Sequence, residues 1–81
     1  MYTTLEIYSN ENVDNVGYWE KIDVEAEMKE IGYEVKGDNW IEYILDHLEI
    51  DEWVYHVIIN PDFVSGNFKS NTFGDLSVKK Y

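Results

Sequence analysis

Eighty-one residues with 44% hydrophobic and 16% aromatic side chains suffice for one small domain around one core, and are too rich in rings for a disordered chain. Seventeen acids against six bases, all of them Lys, give a formal net charge of −11. Without Arg the chain lacks the planar fork that grips phosphate, and its field disfavours direct binding to nucleic acid or anionic lipid.

The expected organisation is a single acidic domain over residues 1–81. No Cys is present, so there is no disulfide framework and no thiolate metal site, which fits a reducing compartment. The start, MYTTLEIYS, has neither the basic opening nor the apolar run of a signal peptide, and no stretch has the apolar length of a membrane span. Cytoplasmic residence is the expectation, in a host cell if the chain is phage-encoded.

Residues 2–8 alternate, with Leu5 and Ile7 on one side and Tyr2, Thr4 and Tyr8 on the other, and predict a strand. The polar run at 10–16 predicts a loop. Residues 17–23, GYWEKID, alternate again and read as a second strand, with the opening turns of a helix as the alternative. Asp23 has the chemistry of an N-cap for a helix over 24–31, in which Val24, Met28 and Ile31 share a face and Gly32 supplies the stop. Tyr33 to Val35 then form a short link or edge strand before a turn at 36–38.

The stretch 38–52, DNWIEYILDHLEIDE, carries the clearest pattern. Asn39 and Glu42 have capping-box spacing, and Trp40, Ile41, Ile44, Leu45 and Leu48 recur at the three-and-four interval of an amphipathic helix. Asp38, Glu42, Asp46 and Glu49 follow the same interval on another side, and no Lys lies between Lys36 and Lys69 to neutralise them. Residues 52–60, EWVYHVIIN, are apolar on both alternating faces and predict a central strand ended by Pro61. The Phe-containing run at 63–74 reads as irregular, and 76–81 as a final strand. The expected fold is α+β: three or four mostly antiparallel strands with two short helices on one face.

Chemistry-bearing motifs are scarce. The four serines include no nucleophile elbow, and the glycines are too dispersed for a phosphate cradle. His47 and His56 match no metal-ligand spacing. His47 reads as an exposed helix residue and His56 as a partly buried strand residue. The expectation is therefore a non-catalytic protein with no cofactor and no metal.

Charge placement carries the functional argument. Residues 20–52 hold twelve acids and three lysines, a net of −9, whereas residues 53–81 have a net of +1. Like charges four apart cost a helix ~0.2–0.5 kcal/mol per pair, and Asp38 with Glu42 and Glu42 with Asp46 make two such pairs. Successive carboxylates lie ~5 to 6 Å apart along a helix, near the phosphate spacing of a nucleic-acid strand.

These features predict contact with a basic protein surface through Glu42, Asp46, Glu49, Asp51 and Glu52, extended by Asp38 and by a second row of Glu27, Glu30 and Glu34. The expected partner is a nucleic-acid-binding protein or nuclease, met by a monomer or a small homo-oligomer. In general character, though in no residue motif, the chain is similar to DNA-mimicking phage proteins that block restriction or CRISPR nucleases. That resemblance implies an inhibitor whose carboxylates stand in for phosphates. The alternatives are an immunity or antitoxin-type protein that neutralises a basic toxin, and a small regulatory subunit whose acidic surface serves solubility alone.

Overall fold

The computed structural model describes residues 3–11 and 15–81, with the backbone alone at residue 15. Two hairpins, one at each end of the chain, meet to form the sheet. The first pairs β1 (Thr4–Ser9) with β2 (Asn15–Glu20), and the second pairs β3 (Ser65–Ser70) with β4 (Gly74–Lys80). β4 lies antiparallel beside β1, which gives one sheet in the order β2-β1-β4-β3. Between the hairpins run α1 (Lys21–Glu30), α2 (Asn39–His47) and α3 (Glu52–Ile58).

The period of two along the strands decides which face the helices cover. Ile7 of β1 stands opposite Val78 of β4, Leu5 and Leu76 share that face, and all four are fully buried. Val24 and Met28 of α1, Trp40, Ile41, Ile44 and Leu45 of α2, and Val54 and Ile58 of α3 complete one continuous core. Each such apolar side chain contributes ~1.5–3 kcal/mol on burial, and this packing holds helices too short to be stable alone. α2 packs between α1 and α3. The opposite sheet face, with Glu6, Tyr8, Tyr18, Ser77 and Lys79, has no helix over it among the described residues.

The α+β antiparallel architecture agrees with expectation, but four local readings need correction. Within the run at 52–60, Glu52–Ile58 form a helix rather than a central strand, so there are three helices and not two. Val54 and Ile58 are buried while Trp53 and Val57 are exposed, which is a helical interval concealed in a run of apolar residues. The run at 63–74 contains strand β3, where Gly66, Phe68 and Ser70 turn toward the core and Ser65, Asn67 and Lys69 turn away. The 17–23 segment divides: β2 occupies its first half and α1 begins at Lys21, which puts Asp23 in the first turn and not at the cap. The helix expected over 24–31 therefore starts early, and Ile31, placed on its buried face, is 54% exposed at the C-cap.

The capping box is also absent. Asp38 occupies the N-cap of α2 without a side-chain bond. Asn39 instead accepts from the Lys36 N–H at 3.1 Å and donates to the Glu34 carbonyl at 2.8 Å, pinning the incoming link. The first strand runs from Thr4 to Ser9, and Tyr2 and residues 12–14 of the expected loop lie outside the described residues.

Candidate interface on the helical layer

Helix termini decide where most of the acids stand. α1 ends in a Schellman motif: Gly32, at φ +89°, donates to the Lys29 carbonyl at 3.2 Å, and Tyr33 donates to Met28 at 2.8 Å. α2 ends in the same way with a different residue. Glu49, at φ +53°, donates to Asp46 at 3.2 Å, and Ile50 donates to Leu45 at 3.0 Å. Ile50 and Leu45 are both buried, which supplies the apolar contact that accompanies this motif. The chain then turns directly into α3, with Asp51 at its N-cap and Glu52 in its first turn.

The predicted stripe is therefore only partly a stripe. Asp38, Glu42 and Asp46 do lie along one flank of α2, with Asp38 and Asp46 exposed and Glu42 half-buried. Glu42 and Asp38 are near enough to Tyr55 of α3 to raise its pKa, after burial, the larger cause. Glu49 leaves the helix in the left-handed turn, where its carboxylate accepts from the Thr72 hydroxyl of the β3–β4 turn. Asp51 and Glu52 are exposed at the start of α3, where the helix dipole favours carboxylates.

The second row falls on the other side of α2. Glu27 and Glu30 are exposed on α1, and Glu34 is exposed in the link. Glu27 approaches Tyr43 of α2 and, together with burial as the larger cause, raises that phenol's pKa. The two rows thus share the helical layer but are separated by a ridge of aromatic side chains. Tyr33 meets Tyr43 edge-on with centroids 5.5 Å apart, and Tyr43 lies 4.4 Å from the His47 ring. His47 Nδ1 lies 2.8 Å from the Tyr43 carbonyl one turn earlier. This ridge was missed from the sequence, although the four-residue spacing of Tyr43 and His47 was visible in it.

Negative charge is densest in the helical layer. Residues 21–58, which make the helical layer, contain eleven acids and three lysines. Of the C-terminal lysines, Lys69 and Lys79 belong to the uncovered sheet face and Lys80 is buried. Lys79 lies 5.1 Å from the centre of the Tyr81 ring. Among the described residues no group of three His, Asp or Glu side chains is placed to hold a metal ion. His56 is exposed on α3 rather than partly buried on a strand. No described helix is long and apolar enough to cross a membrane.

Comparison with protein-family models, with curated proteins and with solved structures returns no match.

Proposed function

We propose that this protein is a non-catalytic inhibitor whose acidic helical layer occupies the basic nucleic-acid-binding surface of a partner protein. The carboxylates take the place of phosphates on the partner's Lys and Arg, and exposed rings such as Tyr33 supply shape-specific contact.

One observation carries the reading: acids are kept where they oppose folding. Glu30 is the last residue of α1 and Asp46 lies in the last turn of α2, next to the negative end of each helix dipole. A charge of the wrong sign there costs ~0.3–1 kcal/mol. Glu49 holds a left-handed conformation that disfavours residues with a Cβ by ~1–2 kcal/mol. A surface that needed charge for solubility alone has helix N-termini and open loops in which to carry it without these costs.

The test is capture followed by competition. Immobilised protein should retain a nucleic-acid-binding protein from a host lysate, and duplex DNA or RNA should displace it. Its association rate should fall steeply between low and moderate salt, because the field is screened over ~8 Å at physiological ionic strength. A retained partner that nucleic acid does not displace would defeat the mimicry, and a retained toxin would move the assignment to the immunity class.

A further inference from the structure

α1 and α2 end in the same kind of turn, yet the residue that follows each turn is placed differently. Ile50, after α2, is 5% exposed, whereas Tyr33, after α1, is 57% exposed. An apolar residue at this place commonly folds back against the helix it follows. The Tyr33 ring instead stands in solvent, although its backbone is fixed on both sides. Its N–H donates to the Met28 carbonyl at 2.8 Å, and the next carbonyl, that of Glu34, accepts from the Asn39 side-chain amide at 2.8 Å. An exposed ring on a fixed backbone receives a partner without the entropic cost of ordering a loop.

Tyr33 is one end of the aromatic ridge along α2. Its ring meets Tyr43 at 74° with centroids 5.5 Å apart, and the His47 ring lies 4.4 Å from Tyr43. An edge-on pair leaves the faces of one ring uncovered by the other. Carboxylates flank the ridge: burial and then the Glu27 carboxylate raise the Tyr43 pKa, which sets Glu27 beside that phenol. Residues 27–47 hold six acids and two lysines. At the other end of the chain the fold sets its own cations on rings, Lys79 on Tyr81 and Lys80 on Phe63. Among the described residues no Lys lies over Tyr33 or Tyr43.

From this arrangement we infer that the ridge receives an arginine of the basic partner, its guanidinium stacked on Tyr33 and its N–H edges directed at the flanking carboxylates. The inference rests on the reading of the helical layer as a contact for a basic protein. Charge complementarity selects a cation, and the shape of the site selects which one. A guanidinium is flat, weakly hydrated and carries its donors in its plane, so one group lays a face on a ring while its edges bond to carboxylates. A lysine ammonium is a compact, strongly hydrated point charge with no flat face to stack. Phosphate offers acceptors to the edges of an arginine but no ring to its face. The ridge therefore adds a contact that a nucleic-acid backbone does not make.

Arginine and lysine nonapeptides, both with blocked ends, test this on the full chain. Isothermal titration at low salt should show both bound, the arginine peptide more tightly. Carboxylates alone already favour arginine, so the decisive quantity is the change when the ring is removed. Tyr33→Leu should weaken the arginine peptide ~2- to 5-fold and the lysine peptide by less, narrowing the ratio, whereas Tyr33→Phe keeps the ring and should retain it. Tyr18→Leu, on the uncovered sheet face, should change neither affinity. In NMR spectra of the parent, the ring resonances of Tyr33, Tyr43 and His47 should move on addition of the arginine peptide while those of Tyr18 and Tyr81 stay in place. Circular dichroism checks the fold, and if Tyr33→Leu unfolds the chain the ring resonances decide. An arginine preference unchanged in Tyr33→Leu, or lost equally in Tyr33→Phe, would overturn the inference and leave the acidic layer as a contact surface. So would ring shifts confined to Tyr18 and Tyr81. Failure of both peptides to bind would remove the basic-partner reading together with it.

Discussion

The ammonium of Lys80 donates to the backbone carbonyl of Asn60 at 3.1 Å, and the same Nζ donates to the carbonyl of Ile58. The last residue of β4 thereby caps the C-terminal end of α3, where helix carbonyls lack partners and a positive charge is favoured. Lys80 is 4% exposed, and its ammonium lies 5.6 Å from the centre of the Phe63 ring. A seven-residue helix is thus fastened to the central sheet by its end as well as by Val54 and Ile58.

Lys80→Met keeps most of the stem and removes the donor. Leaving buried carbonyls without it costs ~1–3 kcal/mol. Urea unfolding should show a loss of that size with an unchanged slope, and amide exchange in α3 should accelerate more than in α1.

Alkaline pH pulls stability in two directions. Tyr8, Tyr43 and Tyr55 all have pKa values raised above 10.0, Tyr8 first through its bond to Glu6 and the other two first through burial. Between pH 10.0 and those raised values the native state holds more protons than the unfolded chain, so stability falls as pH rises. Lys80 acts oppositely: burial lowers its pKa below 10.5, against the field of Asp38. Between that lowered value and 10.5 the unfolded chain holds more protons, and this group's contribution rises with pH. The alkaline decline should therefore be steeper in Lys80→Met than in the parent, as read from unfolding free energies at successive pH values. An equal or shallower decline in the variant would contradict the assignment.

How much of this was legible in the sequence depended on whether a pattern had a unique period. α2 was readable because Trp40, Ile41, Ile44, Leu45 and Leu48 are apolar and the positions between them are mostly not. α3 was not, because in EWVYHVIIN almost every position is apolar or aromatic, and both a helix and a strand can bury part of such a run. β3 was obscured by Gly66 and Asn67, which are poor strand residues held there by pairing with β4. Lys80 follows Leu76 and Val78 at the strand interval and so shares their face, yet a Lys-Lys pair near the end of the given sequence suggests solvent. Among the candidate acids the residue types and their exposure were legible, but their grouping was not. That grouping required the left-handed turn at Glu49, and Glu gives no warning of one.

The two Schellman turns allow that point to be measured. Gly32 and Glu49 occupy equivalent positions, and only glycine adopts this conformation without a Cβ penalty. Glu49→Gly relieves ~1–2 kcal/mol of backbone strain and gives up an exposed bond to Thr72 worth ~0.5–1.5 kcal/mol. Glu49→Gln keeps the strain and an acceptor for the Thr72 hydroxyl, and should change stability little. The expected order of stability is Gly at or above the parent, with Gln close to it. A large loss on Glu49→Gly would show that the carboxylate, not the turn, holds this corner.

The acidic layer can be separated from its structural background by choosing acids that the fold does not need. Glu30, Glu34 and Asp46 are exposed, and their side chains hydrogen-bond to nothing among the described residues. Changing all three to Lys reverses charge where Glu30 and Asp46 face the negative ends of α1 and α2, so the helices should gain ~0.3–1 kcal/mol at each site. Thermal unfolding should therefore move upward or stay level. Partner binding should collapse, because each reversed charge meets a cation and like-charge contact across an interface costs several kcal/mol. The control is Asp62→Lys with Asp75→Lys, outside the helical layer; loss of the cross-strand neighbour of Lys69 by the second costs a few tenths of a kcal/mol. If the two variants lose affinity equally per charge, net charge alone drives association. If the triple variant gains stability and still binds, the helical layer is a solubility surface and the partner is met elsewhere.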